Sequence, residues 1–146
     1  QIERTTMPLF SSTRARSGSR GGRVGSPGVN GYWNEVLQTA IVPTNAMTVT
    51  LSFWRFLDTT ETSTTTAYDV FRYGIETDRG IELVAPRRID NTSAGRGQWV
   101  RETLVFADPS AVLGQGVWVT FKGTTDGNQP SSLYLDDVEL QVCGES

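Results

Sequence analysis

The sequence predicts an all-β fold, a two-sheet antiparallel β-sandwich, and three observations carry that expectation. Residues 47–57, MTVTLSFWRFL, alternate with period two: Val49, Leu51, Phe53 and Leu57 share one face, and Thr48, Thr50, Ser52, Trp54 and Phe56 share the other. Turn signals recur about every eight to twelve residues and separate eight or so strand-like runs. No stretch carries the 3.6-residue apolar period of a long amphipathic helix.

The elements follow in order. Residues 1–14 read as an N-terminal arm, with QIERTTMPLF able to form an edge strand or one donated to a neighbour, and residues 15–146 read as the sandwich itself. The Ser/Arg/Gly stretch 11–31 is too broken by glycine and proline for a helix, and its Arg14, Arg16, Arg20 and Arg23 read as a solvated face. Tyr32-Trp33 reads as a loop anchor. Val36, Gln38 and Ala40 alternate with Leu37, Thr39 and Ile41 until Pro43 stops the run. After a Thr-rich hinge at 59–66, Phe71, Tyr73 and Ile75 share a face of the next strand. The TDRG turn at 77–80 predicts that 68–76 pairs with 81–85 as a hairpin, followed by a loop over 86–97. WVRETLVF (99–106) is a strand, and a helical turn is expected at Pro109–Leu113. In VWVTFKGT (117–124), Val117, Val119 and Phe121 point inward while Trp118, Thr120 and Lys122 point outward; the last strand is SLYLDDVELQVC (132–143).

Composition bounds the chemistry. The chain has 146 residues, 37% hydrophobic and 20% charged, enough to bury one core. Its net charge of −3 argues against nucleic acid as a partner. Histidine is absent, which removes Ser-His-Asp and Cys-His catalysis and histidine-ligated zinc or copper. Hard-metal sites of oxygen ligands and carboxylate-pair hydrolysis survive that exclusion, but no two carboxylates stand out as an acid–base couple. Cys143 is the single cysteine, expected as a half-buried thiol of the last strand or, alternatively, as the partner of a cysteine in another chain or in a removed segment. No run approaches the ~20 apolar residues of a membrane helix, and export would imply a signal already removed.

Two sets of residues could carry function. In an unbroken last strand Tyr134, Asp136, Val138, Leu140 and Val142 share a face, which sets Asp136 among core residues while Asp137 faces solvent. A carboxylate there needs either a hard cation such as calcium or good donors from backbone amides or an arginine. The second set is the outward aromatics Trp54, Phe56 and Trp118, which would form one row flanked by Arg101 and Lys122 if their strands are neighbours. Such a row suits a sugar, a protein surface, or a second apolar layer under a loop. Asn91-Thr92-Ser93 is a glycosylation sequon.

The segments SGS (17–19), LSFW (51–54), TTTAYD (64–69), GTTD (123–126) and LYLDDVEL (133–140) resemble, in order and rough spacing, the jelly-roll modules related to MAM domains and to calcium-containing carbohydrate-binding modules of secreted bacterial proteins. The likeness spans about residues 15 to 142. It implies a jelly roll and a structural calcium held by Asp136 and, at the N-terminus, Glu3, although the tryptophan usual before the SGS turn is missing. Asp69 and Asp126, in the YD and TD matches, are candidates for a second acidic cluster with Asp58 or Glu61.

The functional expectation is therefore a non-catalytic, extracellular or cell-surface module, stabilised by calcium, that binds a polysaccharide or a protein surface. The alternative is a filament or sheath subunit that self-assembles through the N-terminal arm. A carboxylate-based hydrolase is a distant third.

Overall fold

The computed structural model describes the backbone of residues 2–6, 22–24, 32–125 and 131–144, and the side chains of 37–124 and 131–144. Among the described residues there are nine strands: β1 (Ile2–Thr6), β2 (Gly22–Val24), β3 (Tyr32–Ile41), β4 (Ala46–Thr59), β5 (Val70–Thr77), β6 (Arg87–Asp90), β7 (Trp99–Phe106), β8 (Gly116–Thr125) and β9 (Ser131–Gly144). One sheet runs β1-β9-β4-β7 with β2 also paired to β9, and the other runs β3-β8-β5-β6. Every pairing is antiparallel, so the two-sheet sandwich stands. A short 3-10 turn at Ser110–Val112 falls where a helical turn was expected.

The period-two pattern does what it implies. Val49, Leu51, Phe53 and Leu57 are buried against Phe71, Tyr73, Ile75, Val117, Val119 and Phe121 of the opposite sheet. Burying each such side chain contributes about 1.5–3 kcal/mol, so the core dominates stability. Phe53 seals the inter-sheet space by edge contacts with Tyr73 at 4.8 Å and Phe121 at 5.0 Å.

Arg55 also lies on this inner face and is buried. Its Nε donates to Glu102 Oε1 at 3.1 Å and its Nη2 to the Ala94 carbonyl at 3.0 Å, while Tyr73 donates from the other sheet to Glu102 Oε2 at 3.2 Å. A charge removed from water costs several kcal/mol unless it is answered in this way. Burial and then the Glu102 carboxylate push the Tyr73 phenol above its ordinary range, so it stays a neutral donor.

Three expectations are corrected. The strand that pairs with β5 is 87–90, not 81–85, which makes only an isolated bridge between Glu82 and Glu76; the strand therefore falls inside the stretch expected as loop. Pro86 directly precedes β6, and the lack of an N–H there makes it a poor ladder residue but a good strand start. Cys143 is exposed rather than half-buried. Finally, β9 is not one unbroken alternation. Between the pairs Ser52↔Glu139 and Trp54↔Asp136, Phe53 faces both Asp137 and Val138, a β-bulge in which Asp137 takes a φ of 50°. The bulge reverses the side-chain phase, so Leu133 and Leu135 before it and Val138, Leu140 and Val142 after it all reach the core. Asp136 consequently shares a face with Tyr134, on the outside of the sheet, and not with Val138.

Residues 2–6 of the arm pair with Glu139–Cys143 of their own β9, as an edge strand of the chain's own sandwich. This does not favour donation of the arm to a second copy.

Candidate functional site

Because β4 and β8 lie in different sheets, the expected row of Trp54, Phe56 and Trp118 does not form. The aromatics divide between the two outer faces of the sandwich. On the first sheet, Phe56 packs on Trp99 at 5.5 Å and Tyr134 at 6.4 Å, with Trp54 opposite Arg101 on one side and Asp136 on the other. On the second sheet lie Trp118 and Lys122.

The second outer face carries a groove, and its register reads as three rows across the strands. The first row is Lys122 on β8, Arg72 on β5 and Arg88 on β6, with Glu35 of β3 at its end by register. The second is Leu37, Thr120 and Gly74, with Pro86 beside it. The third is Thr39, Trp118 and Glu76, extended by Glu82 through its bridge. Rows repeat about 6.7 Å apart along the strands, and neighbours within a row lie about 4.8 Å apart.

The middle row is low. Thr120 is buried and Gly74 has no side chain, so a shallow trough lies between the basic row and the Trp118 row, bridged where the Lys122 side chain reaches across to Glu76. It is lined by Arg72, Gly74, Glu76, Thr120, Lys122 and Pro86, among others, and encloses about 50 Å³. That volume admits the edge of a ligand rather than a whole one. A Cβ added at Gly74 would meet Pro86 Cβ at 3.5 Å, an ordinary contact, so glycine is not needed there for packing.

Charge on this face is arranged in local pairs. Lys122 Nζ donates to both Glu76 oxygens, at 2.9 and 3.0 Å, and Arg88 Nε donates to Asp90 Oδ2 at 2.8 Å. Burial raises the Asp90 carboxyl's pKa, but hydrogen bonds from Thr92 and Arg88 outweigh that effect and hold it below the ordinary carboxylate value. The approach of Glu76 and Glu82 follows from the turn expected at 77–80, and it is the part of the expected 68–76 and 81–85 pairing that the structure keeps.

Of the expected metal ligands, Asp136 and Glu3 stand well apart along β9. Asp136 is buried, 6% exposed, and its Oδ1 accepts the Asp137 amide at 2.8 Å. Glu3 stands opposite Val142, roughly 17 Å along β9 from Asp136. Asp69 is buried in the loop before β5, where its amide donates to Asn91 Oδ1 at 3.3 Å, and Asp126 lies outside the described residues. Among the described residues no three His, Cys, Asp or Glu side chains come together as a metal site. What they supply at the bulge is one buried carboxylate, a part of a hard-cation site and not the whole of one.

The Asn91 sequon has a structural role instead. Asn91 is fully buried; its Oδ1 accepts from Tyr68 and Asp69 amides, and its Nδ2 donates to the Ser63 and Thr66 carbonyls at 3.1 and 2.8 Å. It staples the 63–69 loop to the start of the 91–97 turn region.

No protein-family model matches the sequence, and no curated protein matches it. Solved structures do. The enzymatically active domain of tailspike protein 4 from bacteriophage CBA120 superposes with a TM-score of 0.58 at 11% identity, covering 98% of this chain and 19% of that one. TmCBM61, solved with β-1,4-galactotriose, gives 0.55 at 14% identity, over 89% of this chain and 74% of that one. A CBM4 module gives 0.56 at 14% identity, over 87% and 74%. At such identities the likeness is one of fold: this chain has the β-sandwich of carbohydrate-binding modules, a sandwich that also occurs within the tailspike chain.

Proposed function

We propose that this chain is a non-catalytic carbohydrate-binding module whose glycan lies across the outer face of the β3-β8-β5-β6 sheet, over the trough at Gly74. The observation that carries the reading is the pairing of that side-chain-poor trough with a half-buried indole, Trp118, and fixed polar groups on its rims. A flat ring takes the apolar face of a sugar at low entropy cost, while Lys122, Glu76 and Arg72 offer partners to hydroxyls. The fold shared with TmCBM61 and CBM4 supports the same reading. Glycan binding of this kind suits an extracellular or cell-surface protein.

Affinity electrophoresis through gels loaded with soluble polysaccharides, with pull-downs on insoluble ones, tests the proposal. Retardation by at least one polymer is expected. Migration unchanged across a broad panel would sink it.

Calcium belongs to the proposal as a structural ion at Asp136, supported by the burial of that carboxylate beside the bulge. A bound ion stabilises by mass action, so melting in calcium and in excess chelator should differ by several degrees. Coincident melting curves would remove calcium from the reading and leave the glycan face untouched.

A further inference from the structure

We infer that the glycan is acidic, and that a single uronic acid carboxylate docks on the Arg72 guanidinium. The inference rests on the glycan-binding reading above and narrows it to a substrate class. Its basis is the basic row. Arg72 stands directly opposite Lys122 on one side and Arg88 on the other, three cations on three adjacent strands. Like charges opposite one another weaken a sheet. Two of the three are answered: Lys122 by Glu76, four residues along β5 from Arg72, and Arg88 by Asp90, two residues along its own strand. Arg72, the central one, is exposed and has no ion-pair partner among the described residues. Among the described side chains the row and its two counter-carboxylates therefore leave one positive charge, at Arg72 on the rim of the trough, with Glu35 placed by register at the opposite end of the row, beyond Lys122.

One uncompensated guanidinium matches one singly charged, planar anion, because its fork of N–H donors meets a carboxylate in two parallel hydrogen bonds. Glu82, exposed on the far rim, disfavours a second anion there. The chain as a whole carries −3, so nothing in its overall field draws polyanions, and any preference for them has to be local. Arg72 and Trp118 lie two rows apart, roughly 13 Å along the strands. That separation suits one sugar on the indole and an acidic one farther along the same glycan chain at the arginine.

The test uses the full chain with polygalacturonate, alginate and glucuronoxylan, each beside its carboxyl-reduced counterpart, and with dextran sulfate as an arm for anions of another kind. Affinities come from titration calorimetry or affinity electrophoresis. At least one uronate polymer should bind tenfold or more tightly than its reduced form. Arg72→Gln should abolish that preference by lowering affinity for the uronate polymer to that for its reduced form, with the melting temperature unchanged, and Arg72→Lys should restore part of it. Equal affinity for a polymer and its reduced form overturns the inference and leaves glycan binding standing. Tightest binding to dextran sulfate overturns it too, as does an unaltered preference in Arg72→Gln. Failure to bind any polymer, reduced or not, overturns the parent reading and this inference with it.

Discussion

Lys122 Nζ on β8 lies 2.9 and 3.0 Å from the two carboxylate oxygens of Glu76 on β5, so a single ammonium answers a carboxylate whose side chain is only 8% exposed. The pair clamps two central strands together on the face that bears the trough. Lys122 itself is 35% exposed, which keeps part of its charge in water and moderates the strength of the pair.

Removing the lysine alone should therefore leave a buried carboxylate unanswered. Lys122→Ala is expected to cost about 1–2 kcal/mol, below the full penalty of a wholly buried pair. The double variant Lys122→Ala with Glu76→Gln should recover most of that loss, since the stranded charge has gone. Urea denaturation of the two single variants and the double variant checks this; a purely additive result would contradict it.

Trp118 and Trp54 offer a contrast between the two outer faces. Trp118→Ala should weaken glycan binding tenfold or more, about 1.4 kcal/mol, with the fold retained. Trp54→Ala, on the other sheet, should leave the affinity as it is. Affinity electrophoresis of both variants on the same polymer decides which face carries the ligand, and the reverse result would move the site to the first sheet.

The strand alternation of β4 and β8 made the sandwich legible, because period two assigns a face without knowledge of the partner strand. The candidate site was only half legible, for the same reason. Alternation shows that Trp54, Phe56 and Trp118 point outward, but not that β4 and β8 belong to different sheets; this is a matter of long-range pairing. Asp136 failed differently. The phase of β9 is reset by one extra residue at Asp137, and an aspartate in a left-handed conformation leaves little trace in sequence beyond its own identity. Arg72 is one arginine among twelve in the sequence, and its row exists only once β5, β6 and β8 are in register.

That bulge yields a prediction of its own. Asp137 at φ 50° lies where glycine and asparagine are at ease and β-branched residues are strained. Asp137→Gly or Asp137→Asn should be close to neutral, whereas Asp137→Val should cost about 1–3 kcal/mol. Thermal or urea unfolding of the three variants tests it, and equal stability throughout would mean that the bulge is not held as described.

Asn91 uses its whole amide inside the fold, which makes two expectations. Asn91→Ala strands the amides of Tyr68 and Asp69 and the carbonyls of Ser63 and Thr66, at a cost of about 2–4 kcal/mol. Expressed through a secretory route that glycosylates, the folded chain should also carry no glycan on the 91–93 sequon, as intact mass would show. A fully occupied sequon on correctly folded protein would contradict the burial of this side chain.

The adjoining Asp90 predicts how stability responds to acid. Its folded-state pKa is held below the ordinary carboxylate value by Thr92 and Arg88, against the opposing effect of burial. A depressed folded pKa means that the ionised group favours the native state. The contribution is full above the unfolded value of about 3.9 and is lost as pH falls through the lower folded value. Asp90→Asn should therefore be less stable than the parent at neutral pH, and the gap should narrow only below about pH 4. Urea midpoints for the two proteins between neutrality and strong acid measure that gap. A gap constant down to the lowest pH would show that packing, and not the charge on Asp90, accounts for the difference.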